Sequence, residues 1–219
     1  MPEHFSPSVR NIHYRLLTEQ DLEGAIACLT TTFRGGEPMT QALGITLSEF
    51  EHLARVMVRK AIKDELSMVA VDKATRKVVG TLIAEDFITD PPEGIETVSP
   101  KFSPIFALLG TIDEEYKQKH PVNHGQLYHI FMVGVLKEYA GLAPTITKQA
   151  EAMAKTKNYL AAIGEATSPI SYLIYTKRLA YTEVTDVTPI CYADFTYEGN
   201  HPFSEIRTIE SCKILIHYF

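Results

Sequence analysis

The sequence predicts an α/β protein built on one central sheet with helices on both faces. Three observations carry that expectation. Strand-like and helix-like runs alternate along the chain in the order βααββ, an additional helix, then βαβαββ, the pattern of a sheet covered on two sides. At 219 residues, with 45% hydrophobic and 22% charged side chains, the chain can bury a sizeable core and is too apolar for wholesale disorder. No repeat, low-complexity tract or linker divides it, so residues 1–219 read as a single domain.

Asn11 to Leu17 alternates and reads as the first strand. Thr18 offers an N-cap oxygen with Asp21 three residues on, and Leu22, Ala25, Ile26 and Leu29 follow at helical spacing to about Phe33. Arg34 to Pro38 breaks that helix. Thr46 and Glu49 repeat the capping pattern, and Phe50, Leu53, Met57 and Ala61 mark the buried face of a second helix. Leu66 to Asp72 and Val78 to Phe87 form a hairpin around a polar turn. Ser103 is expected to cap a helix with Pro104 at its first position, and Ile105, Leu108, Leu109, Ile112 and Tyr116 stripe it down to Lys119. Gln126 to Val135 is strongly β-prone. Pro144 starts a helix, Tyr159 to Glu165 is a strand, and Ser168 caps a helix from Pro169 to about Arg178. Val184 to Tyr192 and Glu210 to His217 close the chain, which makes about seven strands.

A net charge of −6 argues against a nucleic-acid partner, because neutralising phosphates needs a basic field. Cys28, Cys191 and Cys212 are far apart and lack zinc-site spacing, so they read as reduced thiols of a cytoplasmic protein with no metal. Met1 to Arg10 has no apolar segment of the kind a signal peptide needs, and no apolar run reaches the length of a membrane span. Monomer and homodimer both stay open.

The informative stretch runs from Val133 to Thr145. A strand ends, a turn containing Gly141 follows, and a helix opens. Such a junction presents free backbone N–H groups and the positive end of a helix dipole, which suits a pyrophosphate. Val135, Glu138, Tyr139 and Gly141 here resemble the acetyl-CoA loop of the GNAT acyltransferase superfamily. Ala140, Ala143, Pro144 and Thr145 depart from it, and Pro144 removes one N–H. Phe33 to Met39 resembles the Phe-x-x-x-Glu-Pro segment of the arylalkylamine N-acyltransferases. The helix from Ile105 to Lys119 resembles an insertion of the same family, and Thr167 to Tyr181 resembles its serine-containing segment.

The resemblance implies a GNAT-type mixed, mostly antiparallel sheet with a splayed parallel strand pair. It implies an enzyme, an N-acyltransferase moving an acetyl or short acyl group from acetyl-CoA to a small amine such as an arylalkylamine. Glu37 would be the general base, while Ser168 and Tyr175, with Ser171, are candidates to receive the leaving thiolate. Val133, Val135, Gly141, Leu142, Ala143 and Thr145 would hold the CoA, with the Val133 N–H polarising the carbonyl and the N–H groups of Leu142, Ala143 and Thr145 facing the cleft. Other readings of these residues stay open. Glu37 is also explained as a solvated loop residue and Ser168 as a helix cap. His129, placed by period-two counting on the face of Val133 and Val135, is either a core residue or a second base. Phe33, Met39, Phe102, Phe106 and Tyr116 are the candidate walls of an amine pocket. The altered loop keeps one alternative in view, a GNAT-fold binding protein without turnover.

Overall fold

A computed structural model describes residues 11–219, so the reading of Met1 to Arg10 lies outside the described residues. The described elements are β1 (Ile12–Leu16), α1 (Leu22–Gly36), α2 (Pro38–Ala42), α3 (Leu47–Asp64), β2 (Met68–Asp72), β3 (Val78–Asp86), α4 (Ser103–Lys119), β4 (Leu127–Val135), α5 (Ala143–Thr156), β5 (Ala161–Ala166), α6 (Pro169–Arg178), β6 (Thr182–Glu183), β7 (Ile190–Cys191) and β8 (Ser211–Tyr218).

Local chemistry sets several of these boundaries. Reciprocal capping boxes open the segments after Thr18, Thr46 and Ser168. Two boundaries differ from expectation. The α1 helix does not break at Arg34 but continues to Gly36, where Glu37 becomes the N-cap of the short α2. Ser103 lies inside α4, because a 3-10 turn over Pro100–Phe102 leads into that helix and supplies Phe102 at the cap position.

The sheet order is β1-β2-β3-β4-β5-β8-β6, with β7 also on β8. Every pairing is antiparallel except β4 with β5. The expected strand over 184–192 is split, which gives eight strands rather than seven. Thr185 and Asp186 turn the chain outward, Val187 plugs into the core at 3% exposure, and Pro189 has no N–H to offer a ladder. The Thr188 N–H and hydroxyl bond the Glu115 carboxylate of α4 instead, at 3.0 and 2.9 Å.

One sheet face carries α1, α3 and α4 over a core that includes Leu29, Phe50, Leu108 and Ile163. The other carries α5 and α6 over Tyr128, Ile130, Ile146 and Leu215. The parallel ladder is short. Leu127, Tyr128 and His129 pair with Ala161, Ala162 and Ile163, and there the two strands part. A β-bulge in β4 coincides with the parting: Ile83 faces Met132 and Ala84 faces Ile130, which leaves Phe131 as the extra residue. Gly164 marks the last close approach, since a Cβ there would lie 2.9 Å from the Ile130 carbonyl oxygen.

Candidate active site

A cavity of about 400 Å³ passes through the gap between β4 and β5. Its walls come from the ends of α1 and α2, from α3, α4 and α6, and from the start of α5. On one side the wall is aromatic. Phe33 stacks on Phe50 at 5.4 Å, Phe50 meets Phe102 edge-on at 6.1 Å, and Phe102 stacks on Phe106 at 6.1 Å. Phe33, Met39, Phe102 and Phe106 line the cavity as anticipated. Tyr116 does not; it packs on Phe87 and His120, at 5.6 and 4.6 Å.

Glu37 is not a solvated loop residue. It is 9% exposed and lines the cavity. As the N-cap of α2, its Oε2 accepts from the Thr40 N–H at 2.6 Å, while its Oε1 is buried without a donor. Burial pushes its carboxyl above the ordinary value, and the hydrogen bonds from Thr40, Met39 and Thr167 only partly offset this.

The backbone edge of β4 forms a second wall. The Leu136 N–H donates to the Val79 carbonyl on β3 at 3.0 Å. Amide direction alternates along a strand, so Gly134 and Met132 also turn to β3, while Val133 and Val135 turn toward the gap. Both valines line the cavity. An N–H aimed into the gap can donate to an oxygen on which charge develops.

At the turn, Gly141 and Ala143 line the cavity, and Gly141 adopts φ +99, a conformation that glycine tolerates without strain. Neither of their N–H groups bonds the backbone among the described residues. Leu142 and Thr145 do not line the cavity, and their N–H groups are spent inside the turn, on the carbonyls of Tyr139 and Leu142, at 3.3 and 3.0 Å. The Thr145 side chain bonds Tyr14 of β1. A pyrophosphate here would meet two free donors rather than the three anticipated.

Ser168, Ser171 and Tyr175 line the opposite wall. The serines cap α6: Ser168 Oγ accepts from the Ser171 N–H at 3.1 Å, and Ser171 Oγ donates to the Ser168 carbonyl at 2.9 Å. Tyr175 is 7% exposed, and its hydroxyl makes no hydrogen bond among the described residues. Burial, followed by the charges of Glu165 and Glu151, raises its pKa, so it stays protonated.

His129 is not on the face of Val133 and Val135. The bulge at Phe131 inverts the alternation: the His129 ring lies against Phe87 and Phe131, whereas Val133 packs with the α5–α6 side. His129 Nε2 bonds Glu165 Oε2 at 2.9 Å, and its Nδ1 lies 3.4 Å from Glu85 Oε1. Glu85 also holds Lys60 at 3.0 Å, and Lys60 bonds Asp64. Burial alone would lower the His129 pKa, but the carboxylates of Glu165, Glu85 and Asp113 outweigh it and hold the imidazole well above its ordinary value.

Sequence reasoning missed Glu165 and Asp113. Glu165 lines the cavity, and Asp113 of α4 hydrogen-bonds it. The available signal was a charge at a core-facing position. Asp113 continues the Ile105–Leu109 row at four-residue spacing, and Glu165 continues the Ala161–Ile163 row at two-residue spacing.

No protein-family model matches the chain, and no curated protein matches its sequence. Solved structures do resemble it. The C-terminal condensation domain of Ebony in complex with beta-alanyl-dopamine superposes with a TM-score of 0.84 at 15% identity, covering 96% of this chain and 100% of that one. Arylalkylamine N-acetyltransferase 2 from Aedes aegypti gives 0.74 at 20% identity over 95% and 99%. The Drosophila melanogaster polyamine N-acetyltransferase that forms N-acetylagmatine gives 0.75 at 15% identity over 95% and 100%. The chain therefore has the GNAT fold, with the mostly antiparallel sheet and the parallel β4–β5 pair that the resemblance implied.

Proposed function

We propose that this chain is an N-acyltransferase that moves an acetyl or other short acyl group from acyl-CoA to a small amine. The observation that carries this reading is Glu37, a buried carboxylate with a free oxygen and a raised pKa in a cavity running through the strand gap. Three neighbours of the same fold support it: an arylalkylamine N-acetyltransferase, a polyamine N-acetyltransferase and a condensation domain bound to beta-alanyl-dopamine. The phenylalanine wall suits an arylalkyl acceptor.

An alkyl ammonium with a pKa near ~10 must lose a proton before it can attack. Glu37, its pKa raised by burial, takes that proton directly or through water. The amine nitrogen then forms a bond to the thioester carbonyl carbon, and the Val133 N–H meets the charge that develops on the carbonyl oxygen. As the C–S bond breaks, Tyr175 protonates the thiolate, and the second proton of the amine restores Tyr175 through water. Ser168 and Ser171 orient that end of the cavity, their mutual bonds leaving them less free to act as acids. The products are an amide and a free thiol.

Acyl-CoA is a substrate here. Its pantetheine arm fits the strand gap, and the Gly141 and Ala143 N–H groups with the start of α5 would meet its pyrophosphate. One observation favours a second reading of the donor. With Leu142 and Thr145 engaged and Pro144 lacking an N–H, the phosphate contact is thin, which suits a pantetheine thioester borne by a carrier other than CoA. In either form the enzyme acts in the cytoplasm, consistent with three free cysteines. No helix among the described residues is long and apolar enough to cross a membrane.

The test is amine-dependent thiol release with the amide identified by mass spectrometry, using acetyl-CoA and S-acetylpantetheine side by side. Faster turnover of acetyl-CoA supports the CoA reading, and equal kcat/KM for the two donors supports the other. Thiol release from neither donor, with any amine, would leave the non-catalytic binding protein as the better account.

A further inference from the structure

Between β5 and α6 the chain has only two residues, Thr167 and Ser168. Ser168 is spent on the α6 cap. Thr167 is half-buried and lines the cavity, and the acyl-transfer steps give it no part. Its side chain hydrogen-bonds the Glu37 carboxylate. Glu37 stands at the corner between α1 and α2, whereas Thr167 stands at the end of β5, so this bond ties two walls of the cavity together.

A hydroxyl holds a carboxylate in place only if its own backbone is held. The Thr167 backbone is held from behind. The Tyr192 hydroxyl donates to the Thr167 carbonyl at 2.9 Å. Tyr192 directly follows β7 and is fully buried. Its N–H bonds the Glu210 carbonyl at 3.0 Å. Its ring meets Phe203 edge-on at 6.0 Å, and Phe203 stacks on Phe195 at 5.6 Å. Burial, followed by the neighbouring Cys212 and Glu37, keeps the Tyr192 hydroxyl protonated and therefore a donor. None of Tyr192, Phe195 and Phe203 lines the cavity, yet their packing ends on a residue that does.

The Thr167 bond differs in kind from the other bonds to Glu37. Those come from Met39 and Thr40 of α2, the helix that Glu37 itself caps, so they move with it. Thr167 alone fixes the carboxylate relative to β5 and the strand gap. No cation bonds Glu37 among the described residues. The titratable groups beside it are Tyr192 and, on β8, Cys212, and burial holds both neutral. Glu165 of β5 is the other charged side chain lining the cavity among the described residues, and it is bonded to His129.

We propose that Thr167 and Tyr192 are positioning residues for Glu37: Tyr192 fixes the Thr167 backbone, and the Thr167 hydroxyl holds the ionised carboxylate at the strand gap. The inference rests on the acyl-transfer reading only for what Glu37 does with its proton. A donor to the ionised form stabilises that form, so loss of the Thr167 hydroxyl must make Glu37 harder to ionise. Loss of the Tyr192 hydroxyl loosens Thr167 and has the same effect to a smaller degree.

The direct measurement is an NMR titration of the full chain labelled at the glutamate side-chain carboxyl carbon, with the Glu37 signal assigned from Glu37→Gln. Thr167→Val, which keeps the volume and removes the hydroxyl, should raise the Glu37 midpoint by about one pH unit. Thr167→Ser should restore the wild-type midpoint. Tyr192→Phe should raise it by less than Thr167→Val does. The ascending limb of kcat/KM against pH should move with the midpoint, so that Thr167→Val loses about tenfold on that limb. An unmoved midpoint in Thr167→Val, or no rescue by Thr167→Ser, overturns the Thr167 assignment. An unmoved midpoint in Tyr192→Phe overturns that of Tyr192. Should Thr167→Val fail to fold, Thr167→Ala carries the same expectation. A midpoint that moves without the limb, or without any turnover, counts against Glu37 as the base and leaves the Thr167 bond standing.

Discussion

Glu37 and Glu165 line one cavity and are both buried, yet their carboxyls are driven in opposite directions. Glu37 has neutral hydrogen-bond donors from its own helix start and from Thr167, so burial dominates and its pKa rises. Glu165 is at least as buried, but the charge and hydrogen bond of His129 outweigh burial and its pKa falls. Neighbours, rather than depth, decide which carboxylate exchanges a proton and which stays an anion. A proton-accepting group belongs with the first, and an anion that holds the His129 ring belongs with the second.

The largest effect expected from this contrast is on turnover. Glu37→Gln removes the base but keeps the volume, and kcat/KM at pH 8 should fall by roughly 10²-fold or more. Stability should change little, by about 1 kcal/mol, since the amide keeps an oxygen for the cap contact to Thr40 and the bonds from Met39 and Thr167 are weakened rather than lost. Steady-state kinetics together with chemical denaturation read both quantities.

Glu165→Gln should show the reverse pattern, with stability falling by about 3 kcal/mol as His129 loses its main counter-charge. The pH dependence of that loss has a definite sign. Glu165 is held below its unfolded value, so its contribution is present above about 4.3 and is lost as pH falls through the folded value. His129 is held above its unfolded value, so its contribution is complete below about 6.5 and is lost as pH rises through the folded value. The wild-type-to-variant gap should therefore be widest between about pH 4.3 and 6.5, measured by urea denaturation across pH. A gap independent of pH would mean that the pair is not an ion pair.

The donor end sharpens the contrast from the other side. Ala143→Glu places a carboxylate on the cavity wall beside a free N–H and should weaken CoA binding about tenfold or more, whereas Thr145→Glu, directed toward Tyr14, should weaken it less. Titration with CoA measures both. The smallest effect is expected for Ser168→Ala, where loss of the α6 cap should lower stability by about 1 kcal/mol and Tm by a few degrees, with most of kcat retained.

Elements whose signals are local were legible in the sequence. Ser168-Pro169 set the start of α6, and Thr46 with Glu49 set the start of α3, because capping chemistry is written in adjacent residues. Glu37 was legible through its segment, although its burial was not. The bulge at Phe131 left no trace in a nearly continuous apolar run, so His129 was assigned to the wrong face. The pairing of Asp113 with Glu165 joins residues 52 positions apart by sequence number, and only the packing of α4 on the sheet brings them together. The turn at Leu142–Thr145 was legible as a turn, but which of its N–H groups stay free depends on backbone geometry that residue types do not encode.

The pH–rate profile of kcat/KM for wild type and Glu37→Gln, with acetyl-CoA and one arylalkylamine, tests the central claim most directly. A buried carboxylate base predicts an ascending limb in the wild type, displaced upward from that of an ordinary glutamate, and its disappearance in the variant along with the roughly 10²-fold loss. A variant that keeps the same ascending limb and the same rate would show that the proton leaves the amine by another route and that Glu37 is not the base.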